Sequence, residues 1–269
     1  MKIEIKDLVH EYLPGQRALD GVNLTLDGTA PVAIIGQNGA GKTTLVKHFD
    51  GILRPTSGQV LLDGHDINER SCAQWSAHVG YVFQNPDNQL FLESVRQEFE
   101  FGPRQLGVSE AAIAKRVERV AKMVGLSRKL DVNPADLTPA EKKFCAIGSV
   151  LTMKPEVVIF DEPTCGQDLA GNARLERIIR VLRKSGRLCI TISHDVKFVC
   201  RCFEHVVVMC HGKVLVEGSV EEVFSQPELL KQSYVIPAPV TRVASAAGMD
   251  KVVFDVDSLI EGVKAERSS

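Results

Sequence analysis

The chain lacks any apolar run near the roughly 20 residues needed to cross a bilayer. Stretches such as 31–35 and 157–160 have the length of buried strands instead. It also lacks a basic excess. Lys plus Arg is 32 against 34 for Asp plus Glu, a formal net charge of −2, which argues against a chain built to coat nucleic acid or an anionic membrane. No repeat, low-complexity tract or heptad run is present. The opening MKIEIKDLVHEY carries acids where a secretory signal needs an apolar core. The expectation is a protein that begins in the cytosol and reaches a membrane only through partners. Seven cysteines are scattered, odd in number and without a CxxC pair; Cys145, Cys189 and Cys210 lie inside apolar runs. They read as small buried hydrophobes in a reducing compartment. Cys200 and Cys202, with His194, His205 and His211 nearby, lack the regular spacing of a metal site.

What is present is ordinary for a globular chain of 269 residues: 44% hydrophobic and 25% charged, which excludes disorder over most of its length. Ile3 and Ile5, then Val22, Leu24 and Leu26, alternate at period two around a Pro14-Gly15 turn signal, predicting antiparallel strands with one wet face. From Pro31 the pattern becomes continuous: PVAIIG, VVIF (157–160) and CITIS (189–193) read as fully buried strands. Helical patterns alternate with them, as in Leu175, Ile178, Ile179 and Leu182 with Gly186 as a stop. This predicts an α/β fold, a parallel sheet with helices on both faces. Residues 86–150 interrupt the rhythm with helical spacing at Ile113, Val117, Val120 and Val124, between Ser109 and Gly125 as caps. They read as an inserted helical subdomain within a unit spanning 1–228. Residues 229–269, broken by Pro237 and Pro239, form a C-terminal extension with weak strand and helix signals.

The segment GQNGAGKTT, Gly36 to Thr44, fits G-x-x-x-x-G-K-[ST] between a buried strand and a helix. Gly36, Gly39 and Gly41 let the backbone curl so that several N–H groups converge on one phosphate chain, with Asn38 in the same curl. The helix starting near Gly41 adds the positive end of its dipole. Lys42 brings a point charge to the β and γ phosphates, and Thr43, followed by Thr44, offers a hydroxyl to Mg²⁺. VVIFDE supplies a second element: a buried strand ending in two acids, where open α/β sheets bind ligands. Asp161 is placed to hold Mg²⁺ through water, and Glu162 to polarise an attacking water as general base.

At these residues the sequence resembles the ATP-binding subunits of ABC transporters, over about residues 1–225. The resemblance implies a P-loop fold of ABC type, with an N-terminal antiparallel β subdomain, an inserted helical subdomain and a short C-terminal extension. It implies ATP hydrolysis with ATP and Mg²⁺. Tyr12 matches the aromatic that stacks on adenine; packing on the core is the competing reading. Gln84, in YVFQNPDNQLF, matches the Q-loop glutamine that touches Mg²⁺ and couples the site to the membrane partner. DEPTCGQD carries a D-loop ending at Asp168, and His194, in TISHD, matches the switch histidine at the γ-phosphate. The segment 85–103 and the tail after 228 resemble the ATPases of energy-coupling factor (ECF) transporters, which import vitamins or transition-metal ions in prokaryotes. That implies a peripheral subunit on the cytoplasmic face of the cell membrane. Its partners would be a second ATPase, an integral membrane subunit whose coupling helices dock near Gln84 to Phe91, and a small substrate-binding membrane protein. No nucleic acid is implied. Two alternatives stand beside this reading. One is a soluble ABC-type ATPase acting on nucleic acid or ribosomes, disfavoured by one phosphate loop and no basic excess. The other is a regulatory subunit without turnover, disfavoured by Glu162 and His194.

The family signature LSGGQ is replaced here by Leu137, Thr138, Pro139, Ala140 and Glu141. Thr138 keeps a hydroxyl, which marks it as a nucleotide-contact candidate. Both glycines are gone, Pro139 has no N–H to give, and Glu141 adds a negative charge. Phe144 stands where the family usually has Arg, and Gln167 where its D-loop is usually apolar. In the family the signature closes over ATP held by the other subunit. The expectation is a heterodimer with one active and one degenerate site, this chain supplying the phosphate loop and catalytic acid of the active one. A working homodimer that tolerates the changes is the alternative.

Overall fold

The computed structural model describes residues 1–247, 249 and 252–266. Period-two alternation at the N-terminus folds as a hairpin. β1 (Ile3–Leu13) and β2 (Gln16–Leu26) pair antiparallel across Pro14 and Gly15, with Gly15 at φ 81°. After β3 (Val32–Ile35), the strands β4 (Ser57–Leu62) and β5 (His65–Asp66) return to that sheet, giving the order β2-β1-β4-β5.

The continuous apolar runs build a second sheet. β3 is joined by β6 (Val79–Val82), β7 (Val157–Asp161), β8 (Leu188–Ile192), β9 (His205–Cys210) and β10 (Lys213–Ser219), in the order β10-β9-β3-β8-β7-β6. All pairings are parallel except that of β10, the antiparallel edge. β3, β6, β7 and β8 are buried along their whole length, which is why they carry no polar alternation.

The helices are α1 (Lys42–Val46), α2 (Cys72–Trp75), α3 (Val95–Gln105), α4 (Glu110–Val124), α5 (Pro139–Met153), α6 (Leu169–Lys184), α7 (Val196–Cys202), α8 (Val220–Phe224), α9 (Pro227–Gln232), α10 (Pro239–Ala246) and α11 (Val256–Glu266). They stand on both faces, as expected, but unevenly, and the short α1 and α2 share their face with the antiparallel sheet. Ala33, Ile35, Val158 and Phe160 pack with Phe99, Val117, Phe144, Leu175 and Phe198 from the longer helices. The alternate residues Val32, Ile34, Val157 and Ile159 pack with Ile3, Leu24, Leu26 and Val60, joined by Leu45 of α1 and Trp75 of α2. The antiparallel sheet therefore covers one face, because its own apolar side needs a partner as much as a helix stripe does.

Between residues 86 and 153 lie α3, α4 and α5. Ile113, Val117, Val120, Ala121 and Val124 bury one stripe of α4, which Gly125 ends at φ 78°. Ser109 precedes α4, but its hydroxyl makes no capping bond. At Gly148 an added Cβ would lie 2.2 Å from the Phe99 ring, so α3 and α5 approach closely only because that side chain is absent. The extension after residue 228 is helical, with no strand among the described residues. It is tied to the core by buried Leu230, Val235 and Val253 and by the Phe224–Phe254 ring contact. Among the described residues no helix is long and apolar enough to cross a membrane. All seven cysteines are free, and Cys165, in the loop after β7, is exposed, unlike the buried role expected of its kind.

Candidate active site

β3 delivers the chain into the phosphate loop, and glycine is required there for two reasons. Gly36 has φ 143°, and a Cβ on it would lie 2.2 Å from the Met209 carbonyl oxygen; Gly41 has φ 99°, with the Ala18 carbonyl oxygen 2.7 Å from an added Cβ. The loop is thus pressed between β2 and β9. α1 is only one short helix, Lys42–Val46, so converging loop N–H groups matter more here than a long helix dipole. Lys42 is buried, and its Nζ donates to the carbonyls of Gly36 at 2.8 Å and Gln37 at 2.9 Å. Burial pushes its pKa down, while Glu162 and Asp161 pull it back up. An ammonium held by its own loop, where Gly36 and Gly41 leave no room for a Cβ, fits a polyphosphate.

β7 brings up the acids. Asp161 is buried; its Oδ2 accepts from Tyr81 OH at 2.7 Å and Thr43 Oγ1 at 3.2 Å. A carboxylate beside a hydroxyl, both hard oxygen donors, fits Mg²⁺. Glu162 takes a left-handed backbone, φ 48°, which costs energy in a residue with a side chain and belongs to a functional turn. Its Oε2 accepts from the His194 main-chain N–H at 3.3 Å, and His194 Nε2 lies 2.9 Å from Oε1. Burial lifts the Glu162 carboxyl to about 7, against the lowering influence of the His194 N–H and Lys42. A carboxylate tuned near neutrality is suited to accept a proton from water. The His194 imidazole is half-exposed; burial and then Lys42 push its pKa down, against the raising influence of Asp161.

A cavity of about 300 Å³ gathers Tyr12, Asn38, Gly39, Gly41, Lys42, Thr43, Thr44, Gln84, Asp161, Glu162 and His194. Gly36 lines an adjoining cavity of about 340 Å³, together with Asn38 and His194. The Tyr12 ring is 57% exposed at the mouth, not packed in the core, and its hydroxyl lies 3.1 Å from Thr44 Oγ1. Thr138 stands apart. It caps α5: its Oγ1 accepts from Glu141 N at 3.3 Å, while its own N–H and O–H donate to Glu141 Oε2. Glu141 also pairs with Lys129 at 2.6 Å, and that bond holds its carboxyl below the usual range. The charge that looked hostile to a polyanion is therefore engaged locally.

Two residues at this site escaped sequence reasoning. Tyr81 sits inside a buried strand, and its signal was a hydroxyl that had to find a partner there. Lys143 is 4% exposed and donates to the Gln84 carbonyl oxygen. Its signal was helical spacing that places a cation in line with the buried Ala146 and Ile147.

Residues 19–165 match the family described as ABC transporter. The energy-coupling factor transporter ATP-binding protein EcfA of Methanoculleus marisnigri is 39% identical over 263 residues, 97% of this chain and 95% of that protein. EcfA of Methanocaldococcus jannaschii is 40% identical over 233 residues, 86% of this chain and 84% of its own length. Among solved structures, cbiO1 from Clostridium perfringens, part of the ABC transporter complex cbiONQ, superposes with a TM-score of 0.77 at 34% identity. That match covers 91% of this chain and 98% of the other.

Proposed function

This chain belongs to the ABC transporter ATP-binding family, and from that premise we propose that it is the ATP-hydrolysing subunit of an ECF-type importer of a vitamin or transition-metal ion. The observation that carries this reading is the convergence on one cavity of Lys42 at the start of α1, Asp161 and Glu162 at the end of β7, and His194 after β8. In it the loop N–H groups and Lys42 hold the β and γ phosphates, and the Tyr12 ring stacks on adenine. Glu162 accepts a proton from the attacking water, the His194 ring hydrogen-bonds the γ-phosphate, and Gln84 lies at the rim. Thr43, Asp161 and Gln84 are the residues to hold Mg²⁺, which supplies charge neutralisation at the phosphates when bound.

The subunit sits peripherally at the cytoplasmic face of the membrane, with no nucleic-acid partner. The exposed rings of Phe91 and Phe101, 5.2 Å apart edge to face, form an apolar patch beside the Gln84 loop. This patch receives the coupling helices of the integral membrane subunit, which in turn carries a small substrate-binding membrane protein. Pro139 and Ala140, in place of glycines, deprive α5 of a flexible, N–H-rich approach to phosphate. The partner ATPase therefore carries an intact signature, and the pair has one active and one degenerate site. The extension 229–269, with exposed Tyr234 and Ile236 beside a groove of about 680 Å³, contributes to that pairing.

Glu162→Gln tests the reading. It should abolish turnover yet trap ATP in a long-lived dimer with the second ATPase, seen by sedimentation with labelled nucleotide. Robust ATPase activity from a purified homodimer of the native chain would sink the degenerate-site assignment.

A further inference from the structure

The segment after β6 is stitched to α5 at three points. Lys142 Nζ pairs with Asp87 at 2.9 Å. Gln89 Nε2 donates to the Ala146 carbonyl at 2.8 Å and to Ser149 Oγ at 3.0 Å, while its Oε1 accepts from Phe83 N at 3.1 Å. Lys143 Nζ donates to the Gln84 carbonyl. The first of these is exposed at Asp87 and the second joins neutral groups. The third is different in kind: an ammonium on a 4% exposed residue, directed at the main chain of the one loop residue that lines the phosphate cavity.

A buried ammonium costs several kcal/mol unless its surroundings compensate. Burial lowers the pKa of Lys143, and Cys165, Asp161 and Glu162 oppose that shift. The cation therefore lies in the field of both acids at the end of β7, while its hydrogen bond goes to the loop. An apolar side chain of the same length would avoid desolvating a cation but leave the Gln84 carbonyl without this donor.

We propose that Lys143 is a positioning residue for ATP hydrolysis, holding the Gln84 main chain against α5 so that the Gln84 side chain meets the phosphate cavity at a fixed depth. The inference rests on the assignment of Gln84 to the phosphate site made above. It makes α5 and the Gln84 loop a single mechanical unit. Lys143 does not line the cavity itself, so it acts through Gln84.

The test is a double-mutant cycle in the assembled transport complex, using Lys143→Met, Gln84→Ala and the pair, with Lys143→Gln as a second variant that keeps an N–H donor. ATP is the probe, and kcat, KM and fluorescent-ATP binding are read together. K143M should lower kcat by about tenfold or more, since a misplaced group can cost up to about 10²-fold, with nucleotide affinity within about twofold. K143Q should lose less. In the Q84A background K143M should cost almost nothing more, since both changes remove one function. The proposal is overturned if K143M leaves kcat unchanged, if the two losses multiply, or if nucleotide affinity falls in step with kcat. If Q84A alone leaves kcat unchanged, the assignment of Gln84 fails and the proposal falls with it, an outcome distinct from a failure of Lys143 alone.

Discussion

Replacing Tyr81 by Phe removes one oxygen from the site and little else. The Tyr81 ring packs edge to face on Phe83 at 4.9 Å, and that contact survives. What is lost is the 2.7 Å bond from the phenol to Asp161 Oδ2, between residues only 7% and 3% exposed. Asp161 then retains the Thr43 hydroxyl at 3.2 Å. Hydrogen bonds to charged groups contribute about 1.5–3 kcal/mol each. Taking about 2 kcal/mol, Tm should fall by about 4–8 °C for a chain of this size. Burial, and then the neighbouring Asp161, drive the Tyr81 pKa far up. The phenol therefore remains a donor throughout the neutral range, and the loss should not vary between pH 6 and 9. The same bond orients the carboxylate proposed to hold Mg²⁺. Outer-shell partners of metal ligands contribute about 10–100-fold to metal affinity, so the Mg²⁺ concentration for half-maximal ATPase activity should rise by at least about tenfold. Calorimetry and a Mg²⁺ titration of turnover check both. An unchanged Tm together with an unchanged Mg²⁺ requirement would refute the reasoning, because the bond would then neither stabilise the fold nor orient Asp161.

Further outcomes follow from other parts of the structure. Asp50 is 3% exposed, and burial lifts its carboxyl from an ordinary 3.8 to about 7. Lys47 and Arg54 pull it down, and the charge is felt at Cys72 and Tyr81. Its folded pKa exceeds its unfolded one, so its contribution is fully present below about pH 4 and is lost as pH rises through 7. That loss has a ceiling of about 4 kcal/mol. Asp50→Asn should flatten this slope in urea unfolding and be the more stable form above pH 7. Gly36→Ala should weaken ATP binding by at least about tenfold, because its Cβ meets the Met209 carbonyl with no side chain to yield. Gly39→Ala, with open space around it at φ 79°, should show only a strain cost of about 1 kcal/mol in unfolding. Thr138→Ala should destabilise by about 1 kcal/mol through loss of the α5 cap, with this chain's own nucleotide affinity unchanged by titration.

Much of the site is local and therefore readable along the chain. The curl of GQNGAGKTT between β3 and α1 depends on glycines and a lysine within nine residues. The acids of VVIFDE stand at the end of the strand whose valines and isoleucine are buried. The turn at Pro14-Gly15 and the stripe of α4 are likewise matters of short-range spacing. Helices do stand on both faces, but continuous apolar runs reveal only that both sides of a strand are buried. They do not reveal what buries them, and here a second sheet competes for one side.

The amino-acid sequence by itself determined the phosphate loop, the strand-borne acids and the buried parallel strands, since each is written in neighbours. Only the tertiary structure decided that Thr43 meets Asp161 across 118 positions and that Tyr81 completes that carboxylate. It likewise decided that Glu162 turns into a left-handed conformation under His194, and that Lys143 reaches the Gln84 main chain. Such contacts join segments that are remote in sequence. Their hydrogen bonds follow from where packing the two sheets and the helices leaves each polar atom, and no pattern along a single strand or helix encodes that.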